Sequence, residues 1–503
     1  MANRTYERFE KELKEIRMLN SAQALLHWDM ETQMPPRGQE MRANQMGIIS
    51  GLIHEKSTSS AMGQWLEELS SAPQGLSEEQ QTNVRETKRS HDKSKRLSRD
   101  LVEELTSTEA KAHHAWVEAR KNADFAAFAP WLQKNIDLRK KACLLIGALP
   151  ATARGEDVYN VALDDYEAGT IVADVRPVFS DLKKHLVQLV ARIGKSPRKP
   201  KSLKGRYPEA RQREFGVKVA EAMGFDFQAG RLDTSVHPFC TSFNPQDVRI
   251  TTRFQEDLIG SALFGIMHEA GHGLYEQGYD PRHAFTPMAD AVSSGIHESQ
   301  SRLWENIVGR SRPFWNHWYP MLQKTFPEAL SGMSVGDFHF SINTVEPSLI
   351  RVEADEVTYN LHIMLRFELE LGLFDGSIAV SDLPRLWSAK MEEYLGIRPK
   401  NDAEGVLQDT HWAMGAFGYF PTYALGNLYA AQFFATAEKD IPGLDGKIAQ
   451  GQMLELRRWL QEKIHRHGMR YKAPELCYQA TGSKLDAQHF THYLDKKYGE
   501  LYG

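Results

Sequence analysis

Apolar residues recur every three or four positions along most of the chain, a spacing that gathers them on one face of an α-helix. The pattern begins at Phe9, Leu13, Ile16 and Leu19 and returns through much of 98–148, 172–193, 321–333, 354–373, 423–437 and 452–466. A mostly α fold is predicted. Between residues 76 and 122 charged residues of alternating sign dominate and large apolar groups are sparse, which predicts a long, exposed helical pair able to stand as a wall or lid above a cleft. Alternation with a period of two is confined chiefly to 247–254, where Val248, Ile250, Thr252 and Phe254 alternate with polar residues and predict a strand. Residues 194–208 combine three prolines with a run of Lys and Arg and read as a solvated connection between helical blocks.

The chain has 503 residues, 41% of them hydrophobic and 25% charged, ordinary proportions for a large globular protein. No internal repeat or low-complexity stretch divides it, so one unit over 1–503 is expected, with the helical part up to about residue 200 forming the wall or lid. A net charge of −5 offers no electrostatic reason to bind nucleic acid or an anionic membrane. Cys143, Cys240 and Cys477 are odd in number and far apart, which points to neither a disulfide framework nor a thiolate metal site. The first thirty residues have no signal-peptide character and no segment has the length of a membrane span. The expected location is cytoplasmic.

Candidate chemistry concentrates at His268-Glu269-Ala270-Gly271-His272, inside the apolar run Leu258, Ile259, Ala262, Leu263, Ile266, Met267. Residues four apart share one helical face, so the two imidazoles can grip one metal ion while Glu269 points at water bound to it. A catalytic zinc takes three protein ligands and leaves a position for water, so a third ligand is required. Glu298, in His297-Glu298-Ser299-Gln300 at the start of another helical stretch, is the preferred candidate; His283, His297 and Asp290 are not excluded by spacing. Such a metal acidifies water, Glu269 can take its proton, and a peptide is the natural bond to hydrolyse. The strand near 247–254, lying just upstream, could receive an extended peptide along an open edge. A small structural hairpin is the equal alternative.

Several motifs in a fixed order resemble the M32 metallocarboxypeptidases, the carboxypeptidase Taq family, along nearly the whole chain. Besides the metal helix they include Trp28-Asp29, Met34-Pro35, His237-Pro238-Phe239, Asp247-Val248-Arg249-Ile250-Thr251, Ile350-Arg351-Val352-Glu353-Ala354-Asp355 and Gly405-Val406-Leu407-Gln408-Asp409-Thr410-His411-Trp412. The resemblance implies a large helical gluzincin-type peptidase with a deep cleft and a small β-sheet beside the zinc helix. It implies a homodimer that removes single residues from peptides with a free carboxyl end, with a zinc oligoendopeptidase as the alternative. It also implies one Zn2+ per chain, replaceable by Co2+, on His268, His272 and Glu298, with Glu269 as general base.

A carboxypeptidase must hold a terminal carboxylate, a task suited to a planar guanidinium. Arg351 is the first choice, with Arg249 and Arg253 in reserve and an ion pair from Arg351 to Asp355 as the structural alternative. His411 with Tyr423 or Tyr419 could steady the oxyanion, Gln408 and Asp409 could orient their neighbours, and His237 could close the far end of the cleft.

Overall fold

Helices form where the apolar period places them. Arg99–Asn122 and Phe125–Ile146 cover the first long stretch, followed by Val172–Gly194, Arg312–Thr325, Tyr359–Asp375, Phe420–Asp440 and Leu454–Lys463. The computed structural model describes residues 2–503. Polar caps mark the starts: Ser98 accepts a hydrogen bond from the Leu101 amide, and Ser77 with Gln80 forms a reciprocal capping box.

The charged stretch does fold as two helices, but each finds another principal neighbour. Glu78–Lys95 packs on Ser60–Ser71, whereas Arg99–Asn122 packs on Phe125–Ile146. A thin stripe of Leu101, Ala112, Trp116 and Ala119 suffices to bury one side of the latter.

Two cores result. Tyr6, Phe9, Leu13 and Ile16 pack with Met62, Leu66, Leu69 and Val84 in a small cluster of the amino-terminal helices, apart from the main core. The helix Ala2–Thr32 then reaches the sheet through buried Trp28, whose ring centroid lies 5.1 Å from the Arg231 guanidinium and 4.4 Å from that of Arg249.

Three strands form the sheet: β1 (Gly230–Thr234), β2 (Cys240–Asn244) and β3 (Asp247–Thr252), in the order β1-β3-β2. β3 runs parallel to β1 and antiparallel to β2, with a register shift between Ser242 and Asn244. Of the two readings of 247–254, the open edge is therefore corrected, and the hairpin is present as β2 and β3, joined through residues 245–246. β3 is central and ends at Thr252: β1 pairs along one of its edges and β2 along the other, and its faces are covered as well, burying Val248, Ile250, Thr251 and Thr252. β2 is an edge strand, and it packs beside the helix that bears the two histidines.

That helix, Ile259–Glu276, is apolar on most of its surface and lies against β3, the helix Glu209–Met223 and the helix Ser294–Arg302. The regular helix expected after Glu298 gives way to a π-helical turn at Leu303–Val308, an arrangement that often marks functional sites. Two glycines allow close approach around Glu298. A Cβ on Gly271 would lie 2.7 Å from the Gln300 carbonyl oxygen, and one on Gly426 would lie 2.7 Å from the Glu298 Cβ. No helix among the described residues is long and apolar enough to cross a membrane.

Gly271→Ala is expected to cost about 1–3 kcal/mol of stability through overpacking and to weaken metal retention by pushing the helices apart. Thermal unfolding with and without added metal checks both effects.

Candidate metal centre

One helical turn separates His268 from His272, and the helix Ser294–Arg302 brings Glu298 across to them. Ligating atoms of the three side chains all lie within 4.8 Å of one another. Glu298 Oε2 is 3.7 Å from His268 Nε2 and 3.5 Å from His272 Nε2. His268 Nδ1 donates to Glu305 Oε2 at 2.8 Å, fixing the ring with its Nε2 turned inward.

Electrostatics favour the protonation states that a cation needs at His272, Glu298 and Glu305. At His268 burial is outweighed by the carboxylates of Glu298, Glu305 and Glu269, which raise its pKa, so a cation there displaces a proton. Burial, helped by His297 and His268, pushes His272 down to about 3, so its imidazole is neutral and its lone pair free. Burial works against the charged forms of Glu298 and Glu305. The Arg302 guanidinium and both histidines nevertheless hold Glu298 well below the carboxylate range, and His268, Arg302 and Arg310 hold Glu305 down to about 2. Two imidazole nitrogens and one ionised carboxylate, with a carboxylate behind one imidazole, fit a divalent cation with an open position. That position faces a cavity of about 340 Å³, lined in part by Phe239, Cys240, Glu269, His297, Tyr419 and Tyr423. Glu269 is buried there, and loss of solvent pushes its carboxyl up to about 7.

A second charged group stands behind the tyrosines. Asp409 Oδ1 accepts from Arg351 Nε and NH2 at 3.1 and 2.7 Å, and its Oδ2 accepts from Arg366 Nε at 2.7 Å. Arg351 NH1 donates to the Tyr359 hydroxyl, and the guanidinium lies 5.0 Å from the Tyr423 ring centroid. Two guanidiniums thus share one carboxylate in a buried setting. His411 completes the wall, its Nε2 3.4 Å from the Tyr423 hydroxyl and its ring stacked on Tyr419.

The ion pair from Arg351 to Asp355, the structural alternative to an anchor, does not form. Asp355 instead accepts from Val357 N, Thr358 N and Thr358 Oγ1 ahead of the helix Tyr359–Asp375, because Arg351 lies on a short 3-10 turn rather than on that helix. Arg249 is held by Asp247 and by the rings of Trp28 and Phe243, whereas Arg253 is exposed just past β3. His237 is exposed, and Pro238 and Phe239 of the same motif line the cavity. Of the rival ligands, Asp290 pairs with Arg17 and His283 lies on a separate 3-10 turn. His297 stacks on His272 with its Nε2 on Glu276.

Sequence reasoning missed Glu305, Arg302 and Arg366. Glu305 stands seven residues after Glu298, a spacing that puts both on one helical face, and this was the signal available.

A mostly helical protein with two histidines and a glutamate around an open position beside a buried glutamate has the site of a metallopeptidase. The family model described as carboxypeptidase Taq (M32) metallopeptidase matches residues 8–498. The chain is 44% identical to thermostable carboxypeptidase 1 of Thermus thermophilus over 97% of each sequence, and 39% identical to carboxypeptidase 1 of Bacillus subtilis over 99% of each. It superposes on the crystal structure of the M32 carboxypeptidase from Deinococcus radiodurans with a TM-score of 0.96 at 39% identity, covering 99% of both chains. The chain belongs to the M32 metallocarboxypeptidase family.

Replacing the carboxylate behind His268 tests its part in holding the site. Glu305→Ala is expected to weaken metal affinity about 10–100-fold, read by titration against a competing chelator, with the fold retained by circular dichroism.

Proposed function

We propose that the protein is a zinc-dependent carboxypeptidase that releases single residues from the free carboxyl end of peptides, with broad side-chain tolerance. Zn2+ on His268, His272 and Glu298 is the cation this reading assigns. When bound it supplies Lewis acidity, polarising a carbonyl and acidifying water. Glu269, near neutral in affinity for protons and in the same cavity, takes a proton from the attacking water and passes it to the leaving amine.

The observation that carries exopeptidase action is the charge count beside that cavity. Arg351 and Arg366 face one carboxylate, Asp409, which leaves one positive charge uncompensated. A substrate's terminal carboxylate neutralises it, and three of the five N–H groups of Arg351 are already engaged, leaving two to bind. Arg351 is the proposed anchor. Arg249 fastens the amino-terminal helix instead, and the helices up to about residue 200 form a wall over the cleft.

Tyr423 and Tyr419 are proposed donors to the developing oxyanion. Burial raises both hydroxyl pKa values, so both keep their protons. Burial also lowers His411 to about 4, leaving it neutral. Its Nε2 lies 3.4 Å from the Tyr423 hydroxyl, and in the Nε2–H tautomer it donates to that oxygen and leaves the hydroxyl proton free to point at substrate. By the same family reading the protein acts as a homodimer.

Timed mass spectrometry of one free-ended peptide and its amidated twin tests the reading directly. Stepwise loss from the free-ended peptide alone, abolished by a chelator, is expected. Internal fragments from both would establish an oligoendopeptidase instead. Glu269→Gln should keep the metal and lower kcat by about 10²–10⁴, whereas His268→Ala should lose the metal, as elemental analysis of the two variants would record.

A further inference from the structure

Glu276 lies four residues beyond His272, on the helical stripe that already carries both histidines. Its Oε1 accepts from His297 Nε2 at 2.8 Å, and among the described residues its Oε2 has no hydrogen-bond partner. The metal-site cavity shares Ser294 and His297 with a neighbouring cavity of about 340 Å³ and shares Cys240 with another of about 700 Å³. Glu276 lines both of these outer cavities.

Its charge is unlike that of the other acidic groups on those walls. Glu86 is paired with Lys472, Asp290 with Arg17, and Asp164 and Asp165 with Lys93. Glu276 has no lysine or arginine partner among the described residues; its one ion-pair neighbour is the His297 ring. A half-buried carboxylate with a free oxygen facing a cavity is a receptor for a cation.

Direction follows from the opposite wall. A peptide whose terminal carboxylate sits at Arg351, beyond Tyr423, sends its amino-terminal residues away from that wall, past His297 and Cys240 toward Glu276. Four helical residues advance about 6 Å, and an extended peptide advances about 3.3–3.6 Å per residue. A peptide running outward along this helix would therefore bring groups about two residues ahead of the scissile bond to Glu276. We propose that Glu276 forms a subsite for positive charge carried on the amino side of that bond, supplied by the α-ammonium of a short peptide or by a lysine or arginine side chain. The inference rests on the carboxypeptidase reading for the direction of the chain.

The test pairs charged and neutral substrates. Tripeptides with free and acetylated amino ends form one pair; longer acetylated peptides with lysine or norleucine two residues ahead of the scissile bond form the other. For wild type, kcat/KM should favour the charged member of at least one pair by roughly tenfold, mainly through KM, the size expected of one charge-assisted hydrogen bond. The responding pair identifies the source of the charge. In Glu276→Gln the ratio should fall toward one. A wild-type ratio near one in both pairs overturns the subsite, as does a variant that loses activity on charged and neutral peptides alike. Calorimetric binding of the same free-ended peptides to the Glu269→Gln variant, which should hold them without turning them over, separates this inference from the function it deepens. Charge discrimination that persists in binding while wild type removes no terminal residue from any peptide would refute the carboxypeptidase reading and keep the subsite.

Discussion

The close packing of three helices around Glu298 is the constraint on which the rest of this structure depends. His268 and His272 are presented by one helix, but a carboxylate can join them only if the helix Ser294–Arg302 approaches closely on one side and tolerates Phe420–Asp440 on the other. Gly271 and Gly426 remove the side chains that would prevent it. Ligating atoms within 4.8 Å of one another follow from that geometry, without any long or flexible side chain having to reach. Rigid placement matters because a catalytic ligand set must be held before the cation and the substrate arrive.

Buried charge is distributed around this junction with a purpose. On one side Arg302 keeps Glu298 ionised and, with Arg310, Glu305 as well, while burial keeps His272 neutral, so that these groups meet a cation in the states that bind it. On the other side two guanidiniums converge on Asp409 and leave a surplus positive charge. The proposed subsite at Glu276, a carboxylate whose one ion-pair neighbour is the His297 ring, adds negative character on the opposite side. A peptide with opposite charges at its two ends matches that polarity, and the buried setting of the arginine pair makes the match stronger than surface charges would.

Much of this was legible in the sequence because it depends on local spacing. The helix period located most helices, and the i, i+4 histidines identified the metal helix before any tertiary information. What depended on chain crossings was not legible from residues alone. Glu298 could not be separated from His283, His297 or Asp290 by spacing. Arg351 found its partner 58 residues away in Asp409 rather than nearby in Asp355. Alternation at Asp247–Thr252 correctly indicated a strand, yet period-two patterning carries no information about whether a strand is central or at an edge. Glu305 keeps a legible spacing from Glu298, yet its bond to His268 is made across to another helix, which spacing alone does not reveal.

X-ray absorption spectroscopy of the zinc-loaded protein tests the central claim most directly. The account predicts a shell of nitrogen and oxygen at about 2.0–2.2 Å with multiple-scattering features of two imidazoles. A third imidazole, which would bring in His297, or a sulfur at about 2.3 Å, which would bring in Cys240, contradicts it.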